Sequence, residues 1–198
     1  MPVRILLATS NPGKLAEYRE LAAGTTLGIE LLPNFHNLPV FEESAPTFAE
    51  NSAGKALHYS PFTSEMVLAD DSGLVVPALG GAPGVLSARY AGPNATSAER
   101  ATKLLGEMAG KTGQQRRARF VCVITLAREG RALAVVSDAA EGLIADEPCG
   151  IHGFGYDPIF RFPDGRRTYA EATAEEKNLA SHRGQAFRRL MALLAPVD

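Results

Sequence analysis

The sequence predicts an α/β fold built on a mixed, twisted sheet with flanking helices. Three observations predict it. Short apolar runs of strand length alternate with capped helical stretches along the first seventy residues. Two long strand-like runs flank a Glu129-Gly130 pair in the middle of the chain. The composition, 45% apolar and 21% charged, is that of an ordinary globular chain. Interleaved strands and helices require parallel pairing and a hairpin requires antiparallel pairing, so the sheet is mixed. A length of 198 residues suits one domain, 1–198. The hairpin region is expected to form a second lobe and to leave a cleft between the lobes.

Val3 to Ala8 is a short apolar run with the length of a buried strand. Asn11 is a good N-cap and Pro12 a good first helical residue. Leu15, Tyr18, Leu21 and Ala22 follow at helical spacing, and Gly24 stops the helix. Ile29 to Leu32 reads as a second strand. Thr47 and Glu50 have capping-box spacing and open a helix to about Tyr59. Met66 to Ala69 is a strand leading to Asp70-Asp71, and Leu74 to Leu79 a further short strand. Thr96 and Glu99 open another helix, with Leu104, Leu105 and Met108 as its apolar stripe. Arg119–Ala127 and Ala132–Ala145 form the hairpin. Thr173 and Glu176 open a further helix, and the last helix ends near Ala195, before Pro196.

Five segments carry candidate chemistry. Thr9-Ser10-Asn11-Pro12-Gly13-Lys14 is a strand–turn–helix junction whose N–H groups, dipole and lysine suit a phosphate. It lacks P-loop spacing, and an ordinary capped surface helix is the plain alternative. Asp70-Asp71-Ser72-Gly73 sets two carboxylates beside an apolar strand. In extended backbone neighbouring side chains face opposite ways, so one aspartate enters a site while the other turns to a cap or salt bridge. Mg²⁺ takes one or two carboxylates and keeps waters, and Glu42-Glu43 can supply another. A polar strand-end turn is the alternative. Asn51 and Lys55 share a helix face, and from spacing alone a solvated face is favoured.

In Gly153-Phe154-Gly155-Tyr156-Asp157-Pro158 the glycines admit a flat ligand, and Phe154 and Tyr156 are stacking surfaces for a purine or, alternatively, packed turn aromatics. An unbroken helix over Glu176 to Gly184 would not aim Lys177, His182 and Arg183 at one ligand. A break near Ala180 is therefore expected, with Ser181 capping the last helix and His182 and Arg183 in its first turn. Cations there oppose the helix dipole, a cost easier to understand at a binding site.

The bulk properties narrow the function class. A formal net charge of −2 offers no global field for nucleic acid. The two cysteines, Cys122 and Cys149, have no metal-type spacing and suit a reducing cytosol. No signal-peptide layout and no run of about 18 apolar residues occurs, so a soluble cytoplasmic protein without a membrane partner is expected.

In order along the chain, Thr9–Lys14, Thr47–Lys55, Asp70–Gly73, Gly80–Ala91, Gly153–Phe160 and Glu175–Gly184 resemble the inosine/xanthosine triphosphate pyrophosphatase family. The resemblance implies hydrolysis of dITP, ITP and XTP to the monophosphate and pyrophosphate. It also implies Mg²⁺ dependence, a homodimer and an elongated fold of two lobes around a central cleft. By the same resemblance, Thr9, Ser10, Asn11, Pro12, Gly13 and Lys14 hold the triphosphate, Asp71 is the essential acid and Ser72 contacts substrate. Phe154, Gly155, Tyr156, Asp157 and Lys177 line the nucleotide, and His182 and Arg183 contact the base. The metal ligands map to Asp71 with Glu42 or Glu43. The family's usual Glu-Glu-Thr-Gly is here Glu42-Glu43-Ser44-Ala45, Ser10 replaces a frequent glycine and Ala180 a frequent isoleucine.

On this reading water attacks the α-phosphorus, with Lys14, Lys177 and Lys55 offsetting charge on the triphosphate. Asp71 is favoured as a metal ligand that also orients the water, because a metal-bound carboxylate is a poor base. Donors from Arg183 or His182 accept a 6-oxo purine and oppose the adenine amine. The alternatives are a pyrophosphatase for another modified nucleotide, a nucleotide sensor on the same fold, and an interaction module without nucleotide.

Overall fold

Apolar runs long enough for a strand but without alternation are the mark of strands buried on both faces. In the computed structural model, which describes residues 3–195, the first of these forms β1 (Val3–Leu7). Helix α1 (Pro12–Ala22) follows, then β2 (Leu27–Leu31), α2 (Phe48–Tyr59), β3 (Met66–Val75), α3 (Ser97–Glu107), β4 (Arg117–Arg128), β5 (Arg131–Ile144), the two-residue β6 (Phe160–Arg161), α4 (Ala174–Ala180) and α5 (His182–Leu194). The strands form one mixed sheet in the order β2-β1-β3-β4-β5-β6, with β1 parallel to both β2 and β3 and β6 antiparallel to β5. The α/β class read from the sequence holds. The Pro196 stop lies outside the described residues.

The chain divides into two compact units: residues 1–71, 122–138 and 184–198, and residues 72–121 and 139–183. The first unit has a core on each sheet face. Ile5, Leu7, Ile29 and Leu68 pack with Tyr18 and Ala22 of α1 and Phe187 and Leu190 of α5. Leu6, Ala8, Val67 and Ala69 pack with Ala56 and Tyr59 of α2. The alternation of β1 and β3 between these cores is the two-residue period of a strand. The second unit gathers Leu74, Leu104, Met108, Phe120, Ile144, Tyr156, Phe160 and Tyr169 into one cluster. Among the described residues no helix is long and apolar enough to cross a membrane.

Two elements depart from expectation. β3 does not end at the aspartates. It runs through Asp70-Asp71-Ser72-Gly73 to Val75, and the separate strand expected over Leu74–Leu79 is the end of β3 followed by a 3-10 turn at Pro77–Leu79. Partners on both faces, described below, let a strand carry two charges in its middle. The capping box expected at Thr47 is half formed: its hydroxyl accepts from the Glu50 N–H and donates to the Glu50 carboxylate. The boxes at Thr96 and Thr173 are complete.

Candidate active site

The turn from β1 to α1 is held by its own side chains. Thr9 Oγ1 accepts from the Asn11 N–H at 3.1 Å, and Asn11 Oδ1 accepts from Gly13 N–H at 2.9 Å and Lys14 N–H at 3.3 Å. Pro12 has no N–H to satisfy. The amides expected to be free for a phosphate are thus capped internally, and the junction offers its dipole, the exposed Ser10 and the Lys14 ammonium. Lys14 Nζ donates to Asp70 Oδ1 at 2.9 Å and lies 3.4 Å from the Asp70 carbonyl oxygen. Lys55 Nζ, from α2, donates to the same carbonyl at 2.7 Å and pairs with Glu43. Two ammonium groups therefore converge on one backbone oxygen.

The aspartates separate as the strand period requires. Asp70 follows Leu68 onto the α1 face, where it is fully buried against Lys14, with the Cys122 thiol 3.9 Å from its Oδ2. Asp71 follows Ala69 onto the α2 face, where its Oδ2 accepts from Asn51 Nδ2 at 3.0 Å. Burial, and then the nearby Glu43 carboxylate, push the Asp71 acid up to about 6, against the opposing pull of Lys14, Asn51 and Lys55. Lys55 shows the complementary effect. Burial alone would lower it, yet Glu43, Asp70 and Asp71 together hold it above its ordinary value. The site is thus a largely buried patch of closely set opposite charges.

In the second unit Lys177 Nζ donates to Asp157 Oδ2 at 2.5 Å, and the same oxygen accepts from the Phe154 N–H at 2.7 Å. Gly153 stands at φ +74°, where a Cβ would lie 2.1 Å from that oxygen, so only glycine admits the carboxylate. Lys177 Nζ lies 5.0 Å and Arg183 Cζ 5.6 Å from the centroid of the Phe154 ring. Arg183 donates to Ser72 Oγ at 2.9 Å. His182 is buried and stacks on Phe120 at 4.7 Å with an interplanar angle of 11°. α4 ends at Ala180, Ser181 is extended, and α5 opens with His182 and Arg183.

Residues 5–193 match the model of the Ham1 family. The chain belongs to the Ham1 family. It is 48% identical over 188 residues to a dITP/XTP pyrophosphatase of Streptococcus agalactiae, with 94% of this chain and 58% of that protein covered. It is 46% identical to a dITP/XTP pyrophosphatase of Geobacillus kaustophilus, covering 94% of this chain and 91% of that one. This Ham1 chain thus spans little more than half the length of the streptococcal relative and nearly all of the Geobacillus one. Among solved structures, a HAM1 protein from Coxiella burnetii matches at 45% identity and a TM-score of 0.84, covering 97% of this chain and 98% of that one.

The Ham1 fold brings the sequence candidates into two sets. Thr9, Ser10, Asn11, Pro12, Gly13, Lys14, Glu43, Lys55 and Asp71 belong to the first unit; Ser72, Phe154, Gly155, Tyr156, Asp157, Lys177, His182 and Arg183 belong to the second. Three expectations change. The face of α2 bearing Asn51 and Lys55 is buried, not solvated. Glu42 is exposed, whereas Glu43 reaches Lys55 and acts on Asp71. Tyr156 is no stacking surface: its ring is in the core and its hydroxyl donates to the Ser87 carbonyl at 3.0 Å. Sequence reasoning named Asn51 but did not retain it, and missed Asp70 as the partner of Lys14. A signal for Asn51 exists: its helical stripe continues through Lys55 to Tyr59, beside Ser52 and Ala56, so the polar face leads straight into the core face.

Proposed function

We propose that this chain hydrolyses non-standard purine nucleoside triphosphates, dITP and ITP, XTP and dXTP, to the monophosphate and pyrophosphate, and so clears them from the nucleotide pool. The observation that carries this reading is the convergence of Lys14 and Lys55 on the Asp70 carbonyl beside the buried carboxylate of Asp71. Two cations suit a polyphosphate, and a buried acid beside them suits the activation of water. The names of the Streptococcus and Geobacillus relatives support the substrate class.

Mg²⁺ fits the donor set. Asp71 and Glu43 stand close enough for one to raise the acid of the other, a charge density that a divalent cation relieves. Among the described residues no cluster of three or more His, Cys, Asp or Glu side chains forms a complete metal cage. Mg²⁺ takes one or two carboxylates and completes its shell with water and phosphate oxygens. Asp71 and Glu43 would hold it, and when bound it supplies Lewis-acid charge to the triphosphate oxygens. Asp71 also accepts a hydrogen bond from the attacking water and so orients it toward the α-phosphorus. Lys14 and Lys55 bind the triphosphate oxygens, and Asp70 holds Lys14 in an ion pair.

In the second unit Asp157 holds Lys177 and the Phe154 N–H, so the Lys177 cation and the Phe154 ring are what this unit offers the nucleotide. Arg183 and His182 face the 6-oxo group of hypoxanthine or xanthine, which accepts where the adenine amine donates. One buried mismatch of this kind discriminates by roughly 5- to 150-fold. The homodimer and the cytoplasmic location belong to the same proposal, and sedimentation of the purified chain tests the former. The central experiment is steady-state hydrolysis of dITP, XTP, dATP and dGTP with pyrophosphate detection, with and without Mg²⁺. Metal-dependent turnover of dITP and XTP well above the other two is expected. Equal turnover of dGTP and dITP would refute the sanitising role.

A further inference from the structure

We infer that Asn51 is a positioning residue whose carboxamide joins the acidic loop 41–45 to Asp71 and so sets where Glu43 and Asp71 stand. Its consequence for turnover rests on the hydrolase reading above; its geometry does not. Asn51 is fully buried. Its Oδ1 accepts from the Ala45 N–H at 2.9 Å, and its Nδ2 donates to the Ala45 carbonyl at 3.3 Å and to Asp71 Oδ2 at 3.0 Å. One donor and two acceptors surround the group, so the partners themselves dictate which way the amide points. Among side chains of this size only the carboxamide offers an acceptor oxygen and two N–H donors together. An aspartate here would keep the first bond, lose the other two and set a third charge beside Asp71 and Glu43.

The same helix holds the rest of the loop. The Phe41 N–H donates to the Tyr59 hydroxyl at 3.2 Å. The Phe41 ring lies on Gly54, where an added Cβ would come within 2.5 Å of it. Glu43 pairs with Lys55 in the middle of the loop. Residues 51, 55 and 59 are four apart and 54 is three from 51, so all four share one side of α2. They hold the loop at its start, its centre and its end, and Asn51 among them also reaches Asp71. Because Asn51 grips Ala45 through backbone atoms alone, the grip does not depend on the side chain there. A loop that reads Ser44-Ala45, where the family pattern has Thr-Gly, can therefore be held in the same way.

The test combines kinetics on dITP with amide hydrogen exchange of the nucleotide-free chain, for wild type, Asn51→Ala and Asn51→Asp. Both variants are expected to lower kcat by about 10- to 100-fold, the worth of a hydrogen bond to a charged group, with KM for dITP within about threefold of wild type. Exchange of the Ala45 amide is expected to accelerate by about tenfold or more in Asn51→Ala, and much less in Asn51→Asp, which keeps that acceptor, while β1 and α5 keep their protection. An unchanged Ala45 exchange rate in folded Asn51→Ala, or a loss confined to KM, overturns the inference. Should Asn51→Ala fail to fold, Asn51→Ser, which removes the bond to Ala45 N–H with a smaller cavity, carries the same two readouts. A wild type that hydrolyses none of the triphosphates sinks the hydrolase reading, and the exchange rates still decide whether Asn51 holds the loop.

Discussion

Burial and Glu43 together hold the Asp71 acid near 6 in the metal-free chain, above its ordinary 3.8. A folded value above the unfolded one means that the native state binds the proton more tightly. Asp71 therefore favours the fold most below the ordinary value, and that advantage is lost as pH rises through about 6. The gap corresponds to about 3 kcal/mol. Asp71→Asn removes the charge and keeps an oxygen for Asn51. It is expected to raise the melting temperature of the metal-free chain at pH 7.5 by about 3 °C or more, and to cut dITP turnover by about 100-fold or more. Thermal melts and steady-state rates check the two halves, and an unchanged melt at pH 7.5 would mean that the charge is no burden. Asp157 sits in the opposite situation, with its charge matched by Lys177. Asp157→Ala strands that buried ammonium and is expected to cost about 3–5 kcal/mol in urea unfolding. At this scale the sequence already separated Asp71 from Asp70, because strand alternation is a local property. It did not separate Glu42 from Glu43, because a loop has no period from which to read a direction.

The elements follow local chemistry closely where that chemistry is strong. Thr96 and Thr173 start helices as complete capping boxes, and the chain breaks at Ser181 between α4 and α5, where the sequence predicts a break. The β4–β5 turn follows its sequence as well: Glu129 stands at φ +50° and Gly130 at φ +76°, the two left-handed residues of a tight hairpin turn. Glutamate is a poor occupant of that region and asparagine a better one. Glu129→Asn is therefore expected to stabilise by about 0.5–1 kcal/mol, read as a rise of about 1–4 °C in melting temperature. Local rules fail at β3. Asp, Ser and Gly together signal a turn, yet the strand continues because Lys14 on one face and Asn51 on the other satisfy the carboxylates. Partners far away in sequence overrode a sound local inference.

Across the whole chain, charge of both signs is buried around β3 and along the segment from Phe154 to Arg183. Ligands that complete these sets should stabilise the fold by mass action. Mg²⁺ at about ten times its dissociation constant is expected to add about 1.4 kcal/mol, a rise of about 3–5 °C, at pH 7.5, and much less at pH 5, where Asp71 holds its proton. Thermal melts across a metal titration at the two pH values check this, and an equal shift at both would remove Asp71 from the proposed metal site. The sequence by itself determined the α/β class, the helix starts, the hairpin, the break before His182 and the ordered motifs that mark the family. Each of these is set by spacing, capping or turn chemistry within a few residues. The tertiary structure alone decided that β3 runs through its aspartates, that Asn51 and Lys55 are buried, that Glu43 and not Glu42 pairs with Lys55, and that Tyr156 belongs to the core. The reason is common to all four: whether a polar side chain is paired or buried depends on a partner from another element, and that partner is adjacent only once the chain has folded.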